Sequence, residues 1–101
     1  MADGLPRTRS AEVLGRQLLR SATSVGANYR SACRARLKAE MIAKLGIVLE
    51  EGDESLFWLE LLMESNLVER EQAQQLWQEM NEIVSMTVTS IKTLRAQQSK
   101  I

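Results

Sequence analysis

The chain has 101 residues, of which 45% are hydrophobic and 26% charged, with thirteen basic and thirteen acidic side chains, one cysteine and no histidine. This composition predicts one soluble domain with a modest core. It excludes an internal disulfide and any catalysis that needs an imidazole base, and no apolar run approaches the length of a membrane span. Residues 1–44 carry nine basic and three acidic side chains, a net +6, and residues 45–101 carry four and ten, a net −6. The zero total therefore hides a basic half and an acidic half. Either the halves neutralise each other, within or between subunits, or the basic half meets an anion such as nucleic acid.

The first predicted helix runs from Arg9 to Cys33, with Thr8 or Ser10 as its cap. At about 100° per residue, Leu14, Leu18, Ala22, Val25, Tyr29 and Ala32 form one stripe, and Arg16, Arg20, Arg30 and Arg34 fall on the other side. Such a helix buries one face and offers guanidinium groups on the other, which points to binding or assembly. The turn is expected within Ala32–Leu37, around Cys33. That cysteine is read as a small core residue at a helix end; a redox-sensitive thiol among arginines is the competing reading.

The second predicted helix spans Lys38–Glu64. One stripe holds Met41, Leu45, Val48, Leu49, Leu56, Leu59 and Met63, and nearly opposite lie Ile47, Phe57, Trp58 and Leu61. A helix apolar on two sides needs more than one packing partner, so self-association is expected. Its acids Glu50, Glu51, Asp53 and Glu54 spread around the helix and lack the histidines of a di-metal bundle. They are read as a solvated or salt-bridging face, with no metal and no cofactor.

The link Ser65-Asn66-Leu67-Val68 ends that helix, and the third is predicted over 69–98. Ala73, Trp77, Met80, Val84, Thr87, Ile91 and Leu94 step by four and three alternately, the seam of a packed antiparallel bundle. Glu71, Gln74, Gln75, Gln78, Glu82, Ser85 and Lys92 form its polar side. Gly15, Gly26, Gly46 and Gly52 stand singly and make no phosphate loop; inside helices they are expected to allow close packing.

Nucleophilic catalysis needs a nucleophile beside a base, and none is present, so the chain is expected not to be an enzyme. The arginine stripe is the one functional feature. Its guanidinium groups suit phosphates or carboxylates. No stacking aromatics accompany them, so electrostatic contact with a nucleic-acid backbone is the most the residues support. Salt bridges to the acidic half are the alternative.

The run Gly15-Arg16-Gln17-Leu18-Leu19-Arg20-Ser21-Ala22-Thr23-Ser24-Val25-Gly26-Ala27-Asn28-Tyr29-Arg30 resembles a family of small bacterial four-helix-bundle proteins. These are encoded, among other places, in intervening sequences of large-subunit ribosomal RNA genes. Ala35-Arg36, Lys38-Ala39-Glu40, Ile42-Ala43-Lys44-Leu45-Gly46-Ile47-Val48, Trp58-Leu59-Glu60-Leu61-Leu62 and Ser90-Ile91-Lys92-Thr93 extend the resemblance over about Leu5 to Arg95. It implies an all-α antiparallel up-and-down bundle, here with three main helices, and a homopentamer; a cytoplasmic location is expected by default, since no segment has a signal-peptide arrangement. A similar accessory protein of diversity-generating retroelements works with a reverse transcriptase and nucleic acid. By resemblance, ribosomal or other RNA is the implied partner, and Arg16, Arg20, Arg30, Arg34 and Arg36 are the residues that carry it. The alternative is a structural or regulatory scaffold for protein partners, with the arginines used between subunits.

Two departures from the family pattern stand out. Family members carry an amphipathic helix before the Leu5-Pro6-Arg7-Thr8 segment, where only Met1–Gly4 stand here. Its lack is expected to leave part of the apolar stripes uncovered. Leu37 also occupies the position where relatives place a serine to cap the next helix, a loss worth about 1 kcal/mol.

Overall fold

The computed structural model describes residues 9–99. They form three helices, α1 (Arg9–Cys33), α2 (Lys38–Glu64) and α3 (Arg70–Ser99), in a rod of 54 × 18 × 15 Å. The predicted helices match within one residue at each end. Thr8 lies outside the described residues, and Ser10 sits inside α1 and so is not its cap.

The two ends of α2 differ in how their free backbone groups are met. At the end of α2, Asn66 adopts φ 55°, a left-handed conformation that asparagine tolerates. The Leu67 N–H then reaches the Leu62 carbonyl at 3.2 Å, and the Asn66 N–H reaches Met63 at 3.1 Å. This pair of bonds is a Schellman motif, which satisfies two of the last carbonyls of the helix. At the start of α2 the cap position is Leu37, in an extended conformation and without a side-chain cap bond. Its side chain is 67% exposed, so it packs on nothing that compensates. Leu37→Ser is expected to raise stability by about 1 kcal/mol in urea unfolding; an unchanged midpoint would show that the end of the helix is already satisfied.

The core is built around α2. Leu45, Val48, Leu56, Leu59, Leu62 and Met63 are buried on it, and each such side chain contributes roughly 1.5–3 kcal/mol. The α3 seam points inward as expected: Ala73, Thr87 and Ile91 are buried and Trp77, Met80, Val84 and Leu94 half-buried. On α1 the buried stripe runs through Ala11, Gly15, Ser21, Val25 and Ala32. Tyr29, expected in that stripe, is 50% exposed. Ser21 lies buried instead because it has a partner. The Ser55 hydroxyl is 2.9 Å from both Ser21 Oγ and the Glu51 carbonyl, and Ser21 donates to Leu18 O at 3.1 Å. Neither hydroxyl is left unpaired, so burial costs little.

Helix α2 packs closely against both neighbours, whereas among the described residues no Cα of α1 comes within 8 Å of one of α3; Ala32, Leu45 and Ile91, one from each helix, share a buried cluster. The three helices thus occupy three corners of a bundle, with α2 between the other two. An apolar groove runs between α1 and α3, floored by Leu45. Cys33 is exposed on its wall, so the reading as a core residue is corrected. The helix turns away from the core there, one residue after Ala32.

The glycines divide. At Gly52 an added Cβ would lie 2.6 Å from Val84 Cγ2, so the close approach of α2 and α3 requires glycine. At Gly26 and Gly46 an added Cβ would meet nothing within 4 Å, so the expected close packing does not occur within the chain.

Candidate nucleic-acid interface

Because α1 and α3 run in the same direction, their C-terminal ends lie at the same end of the rod as the α1–α2 turn and the start of α2. That topology collects cations which the sequence scatters. Arg30, Arg34 and Arg36 come from the end of α1 and the turn, Lys38 and Lys44 from the start of α2, and Lys92 and Arg95 from the end of α3. Among the described residues only Glu40 offsets these seven at that end. All but Lys44, which is half-buried, are exposed. The rest of the rod carries four described basic residues against eleven acidic ones. The chain is therefore polarised along its length.

This geometry divides the five arginines singled out in the sequence. Arg30, Arg34 and Arg36 belong to the basic end. Arg16 lies on the same helix but fourteen residues before Arg30, about 21 Å away at 1.5 Å per residue. Arg20 is engaged elsewhere: its guanidinium pairs with Glu54 and lies 3.4 Å from Glu51. Glu54 also accepts a 3.3 Å bond from the Trp58 indole, which fixes the carboxylate between the two donors. The pair is half-exposed, so its contribution is at most about 1 kcal/mol. Among the described residues these are the ion pairs present, and the cations of the basic end have none.

The sequence reading missed Lys38, Lys44, Lys92 and Arg95. Lys92 was assigned correctly to the polar side of α3. What was lacking was the pairing of that helix end with the α1–α2 turn, which follows only once three alternating helices are laid side by side. The acidic residues Glu50, Glu51, Asp53 and Glu54 form no metal-binding cluster among the described residues. Nor, among them, is any helix long and apolar enough to cross a membrane.

A basic end whose guanidinium and ammonium groups make no ion pairs among the described residues can neutralise successive phosphates; Tyr29, 50% exposed beside Arg30, is the aromatic side chain at that end. Residues 2–89 match the sequence model of the 23S rRNA-intervening sequence protein family. The fold is similar to the crystal structure of a protein of unknown function from the S23 ribosomal protein family of Bacteroides thetaiotaomicron. That similarity has a TM-score of 0.75 and 41% identity over 79% of this chain and 74% of the other. No curated protein matches the chain.

Proposed function

From the premise that the chain belongs to the 23S rRNA-intervening sequence protein family, we propose that it is a non-enzymatic, self-associating helical bundle of the cytoplasm that binds RNA through its basic end. The observation that carries this reading is the gathering of seven cations, unpaired among the described residues, at one end of the rod. Phosphates supply the complementary charge, and their neutralisation releases counterions, which drives binding at low salt. The contacts of these seven residues are to the phosphate backbone, so sequence preference is weak.

The test is anisotropy of a fluorescent RNA hairpin titrated with the protein at several salt concentrations. Four or five phosphate contacts predict that log K falls with log salt with a slope of about −3 to −4. Absence of binding at about 50 mM salt, where such contacts are strong, would remove RNA from the reading.

Self-association rests on a separate feature. Ile47 and Phe57 are exposed on the side of α2 turned away from both neighbours, with Trp58 and Leu61 half-buried beside them. A convex apolar stripe of this kind is the usual core of a subunit contact. A pentamer is the assembly that the family resemblance favours.

A further inference from the structure

The cations of the basic end are laid out as two edges with a bridge between them. The Arg34 N–H bonds the Arg30 carbonyl at 3.2 Å, so the two arginines share one face at the end of α1. Lys92 and Arg95, three residues apart, share one face of α3. Pairs at these spacings hold their Cβ atoms about 5–6 Å apart, which suits neighbouring phosphates along one strand. Between the edges stand Arg36 in the turn and Lys38 at the first position of α2. Among the described residues no Cα of α1 comes within 8 Å of one of α3. Two helices that each pack on α2 at about 8–10 Å have axes on the order of 10–14 Å apart. The rod itself is 18 × 15 Å across, so its end is blunt.

Helix stability does not account for this layout. A helix C-terminus favours cations in its last turn, which suits Arg30. Helix α3 has no basic residue in its last turn. Lys38 stands in the first turn of α2, where the helix dipole favours an acid. None of the seven cations lines the groove between α1 and α3, so the layout is independent of that surface.

We infer that the basic end takes double-stranded RNA, seated across the mouth of the major groove, with Arg30 and Arg34 on one backbone and Lys92 and Arg95 on the other. This rests on the RNA reading above and names the form of RNA. The major groove of an A-form duplex is deep and too narrow for side chains to read, so the backbones of its two strands stand close together at the mouth. A blunt end with two cationic edges touches both at once. Arg36 and Lys38 then lie over the gap, where the fields of the two backbones add. A single strand offers one row of phosphates. To meet both edges it must fold back on itself, and ordering a flexible strand costs free energy that a preorganised duplex does not lose. Proteins that hold single strands also use aromatic platforms, and Tyr29 lines the groove and not the cationic edges.

The test is fluorescence anisotropy of the full chain with an RNA duplex and with each of its strands alone, in a sequence that does not pair with itself. The duplex is expected to bind at least about tenfold more tightly than either strand at low salt. Arg34→Gln removes a contact from one edge and Lys92→Gln from the other. On the duplex each variant is expected to reduce the steepness of log K against log salt by about 0.9, and the two losses add in the double variant. On a single strand either edge serves alone, so each single variant changes affinity little. Both residues are exposed and make no ion pair among the described residues, and circular dichroism checks that the variants stay helical. Strands that bind as tightly as the duplex, or a duplex that responds to one edge only, overturn this inference and leave RNA binding standing. No binding of duplex or strand at about 50 mM salt overturns both.

Discussion

Replacing Arg34, Arg36 and Lys92 together by glutamate is expected to weaken RNA binding by on the order of 100-fold at low salt, and to flatten the dependence of log K on log salt by about two to three. Each residue removed is one phosphate contact, and each carboxylate introduced repels its neighbours in the RNA backbone. The set crosses the fold on purpose. Arg34 and Arg36 are neighbours in the turn, whereas Lys92 lies more than fifty residues away in the chain and joins them only because α1 and α3 run in the same direction. None of the three lies on the outer face of α2, where Ile47 and Phe57 are exposed, so the mass of the assembly should not change. Arg16→Glu is the matched control. It changes the same net charge per residue far from the basic end, and it should alter affinity by less than about threefold, since charges beyond a Debye length are screened. Equal losses from Arg16→Glu and Lys92→Glu would mean that the anion-binding surface is the side of α1 and not the end of the rod.

Gly52→Val is expected to be the most destabilising single exchange in the α2–α3 contact, by about 3 kcal/mol or more. The first added carbon already falls 2.6 Å from Val84 Cγ2, with Met80 Sδ at 3.9 Å. Val84 cannot swing aside cheaply, because a β-branched residue in a helix has one strongly favoured rotamer. The helices must therefore separate, and overpacking of this kind costs about 1–3 kcal/mol before the extra methyl groups of valine are counted. In a domain of this size the midpoint of thermal unfolding should fall by more than about 10 °C. Val84→Ala in the same chain should restore much of the loss, since it removes the clashing methyl. A double variant no more stable than Gly52→Val alone would place the strain elsewhere in the contact.

The helices were legible in the sequence because their signals are local. The alternation of four and three along Ala73 to Leu94 can only be one face of a helix, and Ser65-Asn66 carries its own stop. The two apolar sides of α2 were legible for the same reason: one packs against both neighbours, and the other keeps Ile47 and Phe57 exposed. Ser21 was overlooked because hydrophobicity does not reveal a buried hydroxyl whose partner, Ser55, is thirty-four residues away. Tyr29 and Cys33 were assigned inward because the apolar stripe of α1 is wider than the surface α2 covers; the remainder faces the groove. The site was only half legible. The arginines were visible as a stripe, but a helical wheel has no axis, so it could not separate Arg16 from Arg30 along the helix. Nor could it place Lys92 and Arg95 beside the turn. Arg20 was read as a binding residue, and its engagement with Glu51 and Glu54 depends on a tertiary contact that no spacing announces.

The wide spacing of α1 and α3 also governs how the molecule comes apart. Each outer helix is held chiefly by α2, so either can open while the remaining pair stays docked, whereas α2 can be released only when both interfaces are lost. Local opening should therefore be graded and not all-or-none. Amide hydrogen exchange would show this as slow exchange in the middle of α2, around Val48 to Leu59, with faster and mutually independent exchange in α1 and α3. Equal protection in all three helices would show instead that they open as a single cooperative unit.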